Sequence, residues 1–295
     1  MKSLTMLFGP AALAVVVAAN SVVSRRGTEV RDALYGNARI ARLDGAAQKA
    51  GNGTTRAYVL VDKESGKALE VGVALSEGVM DGLPAPRKLS MADMASMEHM
   101  DMHTWVLDLP KNNPSPYKFV TFGWNPQGHE PAGVWDVPHF DFHFYTVGRD
   151  VRASIVLSNP DFASKAAKYP AEVARAPFYL DAATAAKTEA KNITVPEMGL
   201  HWFDVRTPEI QALAGHPEAY KPFTKTFIYG SWDGQFIFSE PMITRAYLLS
   251  VREQNGDNVA EVPVVKFSEP GSYGSAYRIK WDAENREYRI ALTQF

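Results

Sequence analysis

A chain of 295 residues, 46% of them hydrophobic, can bury a large core as one β-rich domain or two smaller ones. A net charge of -2 gives no basic surplus for a nucleic-acid partner, and a charged fraction of 22% argues against a disordered chain. The chain has no cysteine, which excludes disulfides, thiolate metal sites and cysteine nucleophiles, so any metal must be held by imidazole, carboxylate, carbonyl, water or thioether.

The chain opens with Lys2 and an almost wholly apolar run over 4–19, with Ala18-Ala19 as a small-residue cleavage site. This reads as an export signal. An uncleaved anchor is the alternative, because the apolar run reaches Val23 before Arg25-Arg26 and a span needs about 20 apolar residues. Residues 1–24 are therefore a signal peptide or N-terminal anchor, with cleavage preferred. The body is expected to be periplasmic or extracellular, touching a membrane only through that segment. Residues 25–54 are weakly patterned and read as a linker. Residues 55–295 read as a single β-rich domain.

Within that domain, 58–61 and 69–73 flank a Gly-containing turn and predict a β-hairpin. Residues 76–80 predict one helical turn, stopped by Gly82 and Pro84. The segment 91–103 carries Met91, Met94, Met97, Met100 and Met102, with His99 and His103 among them. Thioether and imidazole in one tract suit copper. Met spaced by three is also an ordinary apolar helix face, and that plainer reading is preferred.

Strands are expected at 105–109, 118–122 and 138–147, and helices at 161–169, 171–175 and 182–191. A strand at 199–203 follows, then hairpins at 226–229 with 236–239 and at 277–281 with 288–292. The expected fold class is mainly β (α+β), with antiparallel sheets forming a sandwich or barrel-like core and a few short helices.

The strand Pro138-His139-Phe140-Asp141-Phe142-His143-Phe144-Tyr145 stands out. Alternate residues of a strand face opposite sides. Phe140, Phe142 and Phe144 should pin one face to the core. His139, Asp141, His143 and Tyr145 then share the other face, which has no Lys or Arg to mark it as solvent-exposed. Gly128-His129-Glu130-Pro131 lies just upstream in a turn-rich connection that could bring His129 and Glu130 to the strand. His201 in Met198-Gly199-Leu200-His201-Trp202 and Glu240 at a strand end could complete a site.

These residues predict a divalent metal, zinc first, with iron, manganese or copper as alternatives. The expected ligands are His139, His143, His201 and His129. Asp141 and Glu130 are expected in catalytic roles, and Tyr145, Trp202 and Glu240 in a substrate pocket. Three protein ligands around an open position would suit a mononuclear hydrolase or hydratase acting on a small molecule. A non-catalytic metal-binding or envelope-stress protein, or a structural module with homo-oligomeric assembly, is the alternative.

Taken in order with 229–234 (Tyr-Gly-Ser-Trp-Asp-Gly) and Glu240-Pro241-Met242-Ile243-Thr244, these motifs resemble a family of exported bacterial proteins of unassigned function. The resemblance covers roughly residues 55–295 and implies a β-rich domain that carries the His-Asp-His strand. It implies no substrate and no reaction.

Overall fold

The computed structural model describes residues 29–30, 32–36, 39–86 and 101–295. The N-terminal apolar segment and most of the Met/His tract, from Met91 to Met100, lie outside the described residues.

The chain is mostly β. Its strands are, in order, β1 Glu29–Val30, β2 Ile40–Asp44, β3 Gln48–Ala50, β4 Gly53–Asp62, β5 Ala68–Ser76, β6 His103–Asp108, β7 Phe119–Asn125 and β8 His139–Tyr145. There follow β9 Tyr179–Asp181, β10 Leu200–Asp204, β11 Lys225–Trp232, β12 Gln235–Thr244, β13 Asp257–Glu261, β14 Ala276–Asp282 and β15 Glu287–Thr293. Among the described residues five short α-helices punctuate them: α1 Arg149–Ser154, α2 Phe162–Ala166, α3 Ala182–Ala186, α4 Pro208–Leu213 and α5 Arg245–Glu253. No helix among the described residues is long and apolar enough to cross a membrane.

The strands form two antiparallel sheets. The first has the order β1-β2-β4-β5-β15-β14-β13, with β3 also beside β4, and the second has the order β6-β7-β8-β12-β11-β10-β9. Both orders are open paths, so the sheets pack as a sandwich and do not close into a barrel. Val71, Val73 and Leu75 of β5 and Ile290 and Leu292 of β15 meet Phe140, Phe142 and Phe144 of β8 in one buried cluster. The aromatic face of β8 is thus in the centre of the molecule, and its other face points away from the first sheet.

Residues 40–50, within the stretch read as a linker, form β2 and β3 and pair with β4. Their alternation is weak because only Ile40 and Ala50 are fully buried there. The segments expected to be helical at 171–175 and 182–191 shorten to a 3-10 turn, Glu172–Ala174, and to α3. Helix α5 was not expected from the sequence. Thr244 caps it by accepting from the Tyr247 N–H, and Leu248 and Val251 turn its apolar side inward.

The outer face of the first sheet carries a buried ion network. Arg278 donates to Asp32 at 2.8 and 2.9 Å, to Glu70 at 2.6 Å and to Asp257 at 2.6 Å. Tyr58 and Tyr35 also donate to Glu70, each at 2.8 Å. Burial pushes the Asp32 carboxyl up, but the Arg278 hydrogen bonds and the charges of Arg278 and Lys280 outweigh it and hold the group well below its usual range. The carboxyls of Asp257, Asp282 and Glu287 are lowered in the same way, with burial opposed by Arg278, Arg289 and Arg42 respectively.

Replacing Arg278 with Met would leave the Asp32 and Glu70 carboxylates without their guanidinium, and urea unfolding at neutral pH should show a loss of about 3–5 kcal/mol. The depressed carboxylates contribute stability that is fully present above the unfolded value of about 4 and is lost as pH falls through the lower folded values. The urea midpoint should therefore drop below that pH, and drop less steeply in Arg278→Met. Equal acid sensitivity in the two proteins would contradict this assignment.

Candidate metal centre

All seven residues of β8 are buried. His139, Asp141 and His143 are 0%, 2% and 1% exposed, so this polar face is not one shown to water. Buried imidazoles and carboxylates need partners. The fold supplies them in two groups, His129 with His139 and Asp141, and His143 with His201 and Glu240.

In the first group Asp141 lies between two imidazoles. His139 Nε2 is 3.2 Å from its Oδ1, and His129 Nε2 is 3.8 Å from its Oδ2. His129 arrives from the loop after β7. Gly128 makes that approach possible, with φ at +74°, and a Cβ there would sit 2.1 Å from the Trp135 carbonyl oxygen. Both histidines are oriented from behind: His129 Nδ1 is 2.8 Å from the Glu130 carbonyl and His139 Nδ1 is 2.8 Å from the Val137 carbonyl. An imidazole that donates from Nδ1 to a carbonyl presents the Nε2 lone pair forward, as a metal-ligating histidine does. Asn125, at the end of β7, donates to Asp141 Oδ2 at 2.6 Å and holds the carboxylate in place.

The second group repeats the arrangement. Glu240 faces His143 Nε2 through Oε1 at 3.3 Å and His201 Nε2 through Oε2 at 3.6 Å. The β8–β12 register sets Glu240 opposite His143. His201 lies two strands away on β10 and pairs with Gly230 of β11. The missing side chain at Gly230 lets the Phe238 ring lie over β11, where a Cβ would be 2.0 Å from ring atoms. That ring packs edge-on to both histidines, with centroids 4.8 Å from His143 and 5.5 Å from His201. Phe223 packs on His139 and Trp135 on His129 in the same manner.

The approaches within each group are short but are not aligned as hydrogen bonds. His139 Nε2, Asp141 Oδ1, both nitrogens of His143 and Glu240 Oε2 are buried without a hydrogen-bond partner among the described residues. A tetrahedral ion with bonds of about 2.1 Å separates its ligand atoms by about 3.4 Å. The imidazole–carboxylate distances of 3.2 to 3.8 Å bracket that edge. In each group all three ligand atoms lie within 4.8 Å of one another.

Electrostatics differ between the groups. Burial alone would raise Asp141, but His139 and His129 hold it well below its usual range. Burial alone would lower His129, yet Asp141 and the Glu130 backbone leave it above its usual value. In the second group burial dominates, so His143 falls to about 3, His201 falls to about 4 and Glu240 rises well above a normal carboxyl. Burial thus disfavours the charged form of all three groups, and a bound cation would favour neutral imidazoles and an ionised carboxylate.

Several sequence-based assignments change. His139, His143 and His201 do not form one ligand set: His143 joins His201, whereas His139, four residues and about 13 Å away along the strand, joins the other group. Glu240, expected to line a pocket, is the carboxylate of the second group. Glu130 is exposed, its carboxylate accepts from the Ala132 N–H at 2.7 Å, and it joins neither group. Trp202 alternates with His201, so it points into the core and donates to Ser231 Oγ at 2.7 Å. Tyr145 is fully buried, donates to the Glu197 carbonyl and walls the second group beside His143. Asn125 was not foreseen, and a single Asn at the end of an aromatic strand carries no distinctive signal. From the Met/His tract, His103 pairs with Trp124 and so takes the core face, whereas Met102 lies over Gly123 on the same face as Asp141.

Comparison with family models, with curated proteins and with solved structures finds no match.

Gly230→Ala should force the Phe238 ring off β11 and lower stability by about 1–3 kcal/mol, read as a shift in the urea midpoint. An unchanged midpoint would mean that the ring does not depend on the bare backbone.

Proposed function

We propose that this protein binds divalent metal through the two His-His-carboxylate groups, zinc being the ion the ligands suit best, and that the bound ion serves hydrolytic or hydrating chemistry on a small molecule. One observation carries this reading. Each of two buried carboxylates faces two imidazole nitrogens at metal-ligand spacing, with no hydrogen bond joining them. A lone pair aimed at a buried carboxylate is destabilising unless a proton or a cation lies between. The oriented Nδ1 atoms of His129 and His139 support the cation.

Imidazole and carboxylate ligands suit zinc, manganese and iron, and two nitrogens with one oxygen leave coordination positions for water or substrate. Bound zinc lowers the pKa of water to about 7, which supplies hydroxide at neutral pH. His129 and His201 are the ligands nearest solvent, each with its side chain 18% exposed, so an incoming molecule would meet them first. Export through the apolar segment 1–24 belongs to the same reading and would place this chemistry outside the cytoplasm.

The test is metal content and its effect on stability. Protein purified without added salts should carry zinc or another divalent ion by elemental analysis. Metal at about 100 times its Kd should stabilise the protein by about 2.7 kcal/mol, and chelator should reverse the gain. His143→Ala and Asp141→Asn should lower both the metal content and that gain. Absence of metal as isolated, together with failure to load any divalent ion, would sink the proposal.

A further inference from the structure

We infer that the two groups act as halves of one dinuclear centre, holding two divalent ions side by side on the outer face of the second sheet. The inference rests on the metal-binding reading and goes beyond it, because two independent sites would satisfy that reading equally well.

Asp141 and His143 belong to different groups but are two residues apart on the same face of β8, about 6.6 Å along the strand. Glu240 stands opposite His143 and Met242 opposite Asp141, so the groups occupy adjacent positions on two bonded strands. The six ligands share one solvent pattern. Only His129 and His201 reach water, one from each group, while His139, Asp141, His143 and Glu240 have side chains 3% exposed or less. The spacing along β8 puts the two ions on the order of 6–7 Å apart, wider than the roughly 3.5–4 Å of a hydroxide-bridged pair and within reach of an oxyanion that offers one oxygen to each.

Charge balance indicates the ligand class. Two dications against the carboxylates of Asp141 and Glu240 leave two positive charges in a largely buried site. Phe238, Phe223 and Trp135 pack around the histidines and supply no counter-charge. The balance would come from anionic oxygen, as a hydroxide on each ion or an oxyanion that spans both. A substrate bearing such an oxyanion is the class this centre would hold.

Mn(II) loading tests the arrangement. The wild-type chain should bind two equivalents per chain and show an electron paramagnetic resonance spectrum broadened by coupling between ions. His129→Ala and His201→Ala should each bind one equivalent and recover the sharp spectrum of an isolated ion. Both replace partly exposed side chains, and Asp141→Asn and Glu240→Gln preserve shape if either fails to fold. Two equivalents with uncoupled spectra, or a single equivalent in the wild type, would overturn the dinuclear centre and leave metal binding standing. Failure of every divalent ion to bind would overturn the metal-binding reading as well.

Discussion

The two-residue alternation of β8 is the constraint on which the rest of the molecule depends. Phe140, Phe142 and Phe144 are completely buried against the first sheet, and turning the strand over would take all three out of that core and put two imidazoles and a carboxylate in their place. Full burial of one such side chain is worth about 1.5–3 kcal/mol. The same packing that builds the core therefore fixes where His139, Asp141 and His143 point. The site inherits its rigidity from hydrophobic contacts on the opposite side of its own strand.

The two outer faces of the sandwich handle buried charge differently. On the first sheet, Arg278 is met by Asp32, Glu70 and Asp257, and Arg289 pairs with Glu287 and Asp282. Each carboxylate there has a cationic partner, as buried carboxylates need. On the second sheet, Asp141 and Glu240 are as deeply buried, yet among the described residues neither has an Arg or Lys paired with it. Neutral imidazoles stand in that place in the second group. The first face thus closes its charges on itself, and the second presents two groups that could hold a cation.

Much of the architecture was legible in the sequence because its strands alternate in residue type even where both faces are buried. The hairpins β4–β5, β11–β12 and β14–β15 and the strand β8 carry period-two patterns bounded by turn residues. The misses have physical causes. Strands β2 and β3 lie at one side of the first sheet and bury too few residues to alternate. Helix α5 follows directly from β12, and its apolar positions merge with those of the strand.

By itself the sequence determined the ligand chemistry: no thiol, scarce histidines, and a strand whose polar face carries two of them around an aspartate. It also determined that this face must turn away from the core, because alternation is local geometry. Only the tertiary structure decided which histidines act together. Grouping His129 with His139, and His201 with Glu240 and His143, depends on a loop folding back over a strand end and on the order β8-β12-β11-β10. Strand order brings together residues up to about a hundred positions apart, and no spacing within the chain encodes it.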